Sequence, residues 1–187
     1  LSQQVPGRIF LDTSVLQTLQ DFGEFIYDGG IIDAKSRIRS IPDGVENVVA
    51  LRKIMLIGAR GSLQFALSKN SLAEVYDRGK VDFLQWAMEM VNYWNHQIAV
   101  YEKENDAFSG YGETTADKFY KDKRFGYLSK KDAVLLHDAL LLECDVFLTM
   151  ERRLPKNGSH IERELGIEVL QPLGYWSRLL PWAALLG

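Results

Sequence analysis

The chain has 187 residues, 47% hydrophobic and 25% charged, enough apolar material for one buried core, which excludes a disordered tail. Its 22 Lys and Arg against 25 Asp and Glu give a formal charge of −3, so the molecule as a whole does not attract nucleic acid or anionic lipid, and any phosphate contact must be local or carried by a metal. A single cysteine, Cys144, excludes an internal disulfide and a thiolate metal cluster, and it points to a reducing cytoplasm. The apolar runs Leu51 to Ala59 and Leu135 to Leu142 are too short to cross a membrane. The start, Leu1-Ser2-Gln3-Gln4, lacks Met and a basic-then-apolar pattern, and reads as a trimmed end rather than a targeting peptide.

In chain order, Ile9-Phe10-Leu11 is a short apolar run that ends in Asp12, and Val15, Leu16 and Leu19 then recur at helical spacing. From Phe22 to Asp43 the pattern breaks around Gly23, Gly29, Gly30 and Pro42, as in a long excursion with a turn or short strand of its own. A helix is expected from about Gly44 to Ile57, and a buried strand where Leu63, Phe65 and Leu67 alternate with Gln64 and Ala66. Asn70 or Ser71 is the expected cap of a helix carrying Glu74. An aromatic-rich helix follows from about Val81 to Tyr101, then an irregular stretch over 104–128. Ser129 caps an apolar helix to Glu143. Next come a strand Val146 to Thr149, a charged segment, a strand Ile167 to Leu170, and a helix opening at Pro172. Strands alternating with helices predict an α/β fold, a single-domain three-layer α/β/α arrangement with a mainly parallel sheet. The whole of 1–187 is read as one domain, with insertions at about 23–60 and 80–128.

In such a sheet functional groups gather beyond the carboxyl ends of the strands. Asp12 ends the first strand, Ser68 to Glu74 follow the second, and Thr149 and Glu151 end the third on one side of an extended chain. Asp132 opens the helix that feeds that third strand. Each acid also has a plainer role. Asp12 suits a helix cap, Ser71-Leu72-Ala73-Glu74 and Ser129-Lys130-Lys131-Asp132 resemble capping boxes, and Glu151 suits a solvated loop. Capping does not require the caps of separate elements to share one sheet edge, and that joint placement singles the acids out. Asp138 lies far round its helix from Asp132, and no nucleophile elbow, P-loop or dinucleotide fingerprint is present.

Taken together, Phe10-Leu11-Asp12-Thr13-Ser14, Ser71-Leu72-Ala73-Glu74, and Asp132-Ala133 through Ala139 to Leu148-Thr149-Met150-Glu151 resemble the PIN domain nucleases. The tail Ile167 to Pro172 looks like that family's closing strand and Pro-led helix. The resemblance covers most of the chain in order, apart from 23–60 and 80–128, and it departs from the pattern at Glu151, where the family usually has Asp. It implies a metal-dependent ribonuclease acting on single-stranded or loop RNA. Catalytic and metal-holding roles then fall to Asp12, Glu74, Asp132 and Glu151, with Ser14 and Thr149 in support. It also implies an inactive binding module as the alternative. Phe83, Trp86, Ala87, Met90, Val91, Tyr93 and Trp94, with Ile98 and Tyr101 beyond, are more apolar than one core-facing stripe needs; core packing is the first explanation, and a surplus face would suit a second copy of the chain or a protein partner, as toxin members have in an antitoxin.

The chemistry agrees with the residue types. Clustered carboxylates repel one another, so a divalent cation is their natural partner. Mg²⁺ or Mn²⁺ takes oxygen ligands without His or Cys. A phosphoryl-transfer domain with a strand-end Asp is disfavoured, because Ser14 stands where its second Asp is expected. Between Lys118 and Lys131 six cations, Lys118, Lys121, Lys123, Arg124, Lys130 and Lys131, face one acid, a local charge of +5 that leaves −8 elsewhere. Phe119, Tyr120, Phe125 and Tyr127 interleave with them, the mixture a single-stranded nucleic acid binder uses. The plainer reading is a solvated loop whose aromatics pack on the core.

Overall fold

A computed structural model describes residues 7–58, 63–77, 81–105 and 122–183. Four strands form one all-parallel sheet in the order β2-β1-β3-β4: β1 (Arg8–Leu11), β2 (Gln64–Ala66), β3 (Val146–Leu148) and β4 (Glu168–Leu170). The chain steps from β1 outward to β2, then crosses back to place β3 on the other side of β1. The order therefore reverses between β1 and β3, where the registers Ile9–Val146, Phe10–Phe147 and Leu11–Leu148 pair the two strands.

Helices cover both faces, giving the three-layer α/β/α fold expected from the alternation of elements. Ile9, Leu11, Phe65, Leu67, Val146 and Leu148 face one apolar cluster. It is built from α1 (Thr13–Asp21), α2 (Gly23–Tyr27), α3 (Gly44–Gly58), α4 (Lys69–Asp77), α5 (Val81–Asn105) and α8 (Pro172–Ala183). Phe10, Ala66, Phe147 and Val169 face the other cluster, under α6 (Lys130–Leu141) and α7 (Gly158–Leu165). The period-2 alternation of a pleated strand produces this division. Phe10 and Phe147 stack across the strands with ring centroids 5.4 Å apart, and burying each ring contributes roughly 1.5–3 kcal/mol. Among the described residues no helix is long and apolar enough to cross a membrane.

The excursion over 22–43 holds α2 and a 3-10 turn (Arg37–Ser40), the turn rather than the short strand of the two expected. Two other expectations change. The charged segment after β3 folds as a 3-10 turn (Leu154–Asn157) and α7, which ends on Gly166 in the left-handed conformation. The helix carrying Glu74 begins earlier than expected. Ser68 is its cap, and Ser68 and Ser71 exchange backbone-to-hydroxyl bonds of 3.2 and 3.4 Å. Ser71 therefore lies inside α4, and Asn70 instead donates to Asp138 on α6 at 2.8 Å.

Candidate functional site

The site grows from the last residue before α1. Asp12 leaves the carboxyl end of β1 and is 8% exposed; it stands at the amino end of α1 but makes no side-chain cap bond. Its Oδ2 instead accepts from the Ser14 hydroxyl and from Thr149 Oγ1, the latter at 2.7 Å. The pairing of β1 with β3 brings Thr149 there, since the two strands end side by side and Asp12 N–H donates to the Leu148 carbonyl at 2.9 Å. The same hydroxyls steady the loop beyond β3. Ser14 Oγ accepts from Met150 N–H and Thr149 Oγ1 from Glu151 N–H, both at 3.0 Å.

Asp132 reaches this edge from the other layer. Because α6 runs antiparallel to the strand it feeds, its amino end lies over the carboxyl edge of the sheet. Ser129 and Asp132 form the expected capping box: Ser129 Oγ accepts from Asp132 N–H at 3.1 Å, and Asp132 Oδ2 accepts from Ser129 N–H at 3.2 Å and from its hydroxyl at 2.7 Å. The cap does not isolate this carboxylate. Burial pushes the Asp12 carboxyl above its ordinary value, the hydrogen bonds from Ser14, Thr149 and the Thr13 backbone pull it down, and the charge of Asp132 pushes it up again. Asp12 thus feels the charge of Asp132, and the cap bonds of Asp132 fall on its Oδ2. Next to Asp12, the Thr13 hydroxyl is buried without a hydrogen-bond partner.

Glu74 is half-buried on α4, which leaves the carboxyl end of β2 and packs on α1, α5 and α6. Glu151 is exposed on the loop after β3. The structure therefore joins Asp12, Ser14 and Thr149 in one hydrogen-bonded cluster that feels the charge of Asp132, and sets Glu74 and Glu151 on elements leaving the same edge. Among the described residues no three His, Cys, Asp or Glu side chains gather closely enough to form a metal-holding group by themselves.

The expected RNA-binding cations divide. Lys118 and Lys121 lie outside the described residues. Lys123, Lys130 and Lys131 are exposed, with Lys131 3.9 Å from Asp77. Arg124 is exposed as well, and its guanidinium is held by Asp122 at 2.6 Å and by Glu164 of α7 at 2.5 Å. Its hydrogen bonds hold the Asp122 carboxyl below the usual range. This arginine is occupied in fastening the 3-10 turn Lys123–Phe125 to α7, where His160 also accepts from Arg163 at 2.8 Å and meets the Arg124 carbonyl at 3.2 Å. Sequence reasoning missed Arg152 and Arg153, which are exposed on the loop directly after Glu151. Their position three and four residues past the strand-end Thr149 was the available signal.

No family model, curated protein or solved structure matches this chain.

Proposed function

We propose that the chain is a metal-dependent nuclease of the PIN type that hydrolyses phosphodiester bonds of single-stranded or loop RNA at the Asp12–Asp132 edge. The observation that carries this reading is a buried carboxylate, Asp12, held by two hydroxyls where the strand order reverses, the usual place for ligands in an open parallel sheet, with the charge of Asp132 acting on it from the other layer. Mg²⁺ and Mn²⁺ are hard cations that need only one or two protein carboxylates, the remaining positions being filled by water and substrate phosphate. The donor set fits such an ion: Asp12 and Asp132 would hold it, and Glu74 and Glu151 are further acids at the same edge. When bound, the ion polarises a phosphoryl oxygen and lowers the pKa of bound water.

The chain's own residues supply positioning. Ser14 and Thr149 fix the Asp12 carboxylate and favour its ionised form against the effect of burial. Ser129 anchors Asp132 through the cap, so each acid is oriented before substrate arrives. Lys123, Lys130 and Lys131 border the amino end of α6, and Arg152 and Arg153 follow β3, so cations flank the acids on two sides.

A catalytically inert PIN-like module that binds RNA or protein is the second reading, favoured by Glu151 in place of Asp and by the two-acid core of the site. The experiment incubates the protein, Asp12→Asn and Asp132→Asn with labelled single-stranded RNA and DNA in Mg²⁺, Mn²⁺ or EDTA. The nuclease reading expects metal-dependent RNA cleavage that falls on the order of 10²-fold or more in either variant. RNA binding without cleavage by the folded protein selects the inert module, and equal cleavage by the variants removes the site.

A further inference from the structure

Next to Ser14, which binds Asp12, lies a cleft of about 220 Å³, lined by Ser14 and Gln17 on α1, Ile38, Ile41 and Pro42 of the excursion, and Met150 and Gln171 beyond the strands. We infer that this cleft receives one unpaired nucleobase of the substrate strand, with Gln17 and Gln171 reading its edge. The inference rests on the nuclease reading for its ligand and adds to it the subsite that selects unpaired nucleic acid.

Size comes first. The cleft is smaller than the several hundred Å³ of a typical drug-sized site and suits a single flat ring system. Its walls have the matching chemistry: Ile38, Ile41, Pro42 and Met150 offer apolar surface to the ring faces, while two amides offer hydrogen bonds to its rim. Other polar groups at the cleft are already committed. Asn47 donates to the Asp43 carbonyl at 2.8 Å and accepts from Leu173 N–H at 2.9 Å, and the Thr18 hydroxyl donates to the Ser14 carbonyl at 2.9 Å. The glutamines differ. Gln17 donates from Nε2 to Asp21 at 2.8 Å and to Gln20 Oε1 at 3.5 Å, and Gln171 from Nε2 to the Met150 carbonyl at 3.2 Å. Those bonds orient each amide, and the carbonyl oxygen of each accepts nothing among the described residues. Each carbonyl oxygen can therefore accept from a base edge, and Gln171 keeps a second amide N–H beside it, the acceptor-and-donor pattern that pairs with a base edge.

Placement completes the argument. Ser14 lines the cleft and also binds Asp12, so a base seated there would lie one side chain from Asp12. Met150, on the opposite wall, is held by Ser14 through its backbone N–H. Exposed cations flank the walls in sequence, Arg37 beside Ile38 and Arg152 and Arg153 after Met150, as a backbone leading a base into the cleft requires.

The test reads binding in EDTA, apart from any cleavage. Fluorescence anisotropy compares a labelled single-stranded oligoribonucleotide with an abasic strand of the same length, on the wild type, Ile41→Trp and Gln17→Leu, with a nucleoside monophosphate as competitor. Ile41 is 47% exposed, so an indole can fill the cleft from its rim, and Gln17→Leu keeps the test falsifiable should that variant fail to fold. The expected result is binding about tenfold weaker for the abasic strand, with the difference reduced in both variants. Equal binding of the two strands by the wild type, or an unchanged difference in the folded variants, overturns the inference. A monophosphate that competes as tightly as the strand reassigns the cleft to free nucleotides and overturns it as well. A protein that discriminates the strands but cuts neither with Mn²⁺ retains the cleft and loses the nuclease reading. One that cuts without discriminating does the reverse.

Discussion

At the scale of single residues, the site is held at a cost to the fold. Asp12 binds its proton more tightly in the folded chain than at the ordinary value of 3.8, burial being the largest cause. Above that value the folded state therefore holds more protons than the unfolded state, and stability falls as pH rises through the raised pKa. Asp12→Asn removes the buried charge while both hydroxyls can still donate to the amide oxygen. It is expected to raise stability at neutral pH by about 1 kcal/mol in urea unfolding with EDTA, to lose that gain below the ordinary carboxylate range, and to abolish cleavage. A stability loss at neutral pH would show that the hydroxyl pair needs the ion. Thr13 gives an independent check. Its orphaned hydroxyl costs about 1–3 kcal/mol if it serves nothing, so Thr13→Val is expected to raise the unfolding midpoint. Lost cleavage in a stabilised Thr13→Val protein would give that hydroxyl a task at the site.

At the scale of elements, what could be read from the chain depended on whether the signal was local. β1, β2, β3 and the Ser129 cap were legible because apolar runs, alternation and a Ser three residues before Asp132 are short-range patterns. Helix α7 was not, since Gly158–Leu165 offers only Ile161 and Leu165 as an apolar stripe among charges, and its stability comes from packing on β4. The cap of α4 was misplaced because Ser68, Asn70 and Ser71 are all good caps, and choosing among them requires knowing where β2 stops. The joint placement of Asp12 with Thr149 depends on the crossover that puts β3 beside β1, which neither segment encodes alone. Ser129→Ala tests how far an element end serves the site. It is expected to cost about 1 kcal/mol of stability by urea unfolding, and to weaken cleavage by more than that loss explains, because the anchor of Asp132 goes with it. Cleavage that merely tracks the folded fraction would confine Ser129 to capping.

At the scale of the molecule, a chain of net charge −3 would hold RNA only where its cations are gathered, and the proposed site has two candidate groups of them. Arg124 is exposed but paired with Asp122 and Glu164, whereas Arg152 and Arg153 are exposed on the loop after Glu151. Each phosphate contact on a single strand contributes about 0.7 to the slope of log K against log salt. Arg152→Glu with Arg153→Glu is therefore expected to weaken oligoribonucleotide binding and to flatten that slope by about 1–2. Arg124→Glu, which loses no exposed phosphate contact, is expected to leave the slope unchanged. Anisotropy titrations across a series of salt concentrations decide between the two edges. A slope that flattens only with Arg124→Glu would move the strand to the segment between Lys118 and Lys131 and take it off the edge where Asp12, Asp132 and the cleft lie together.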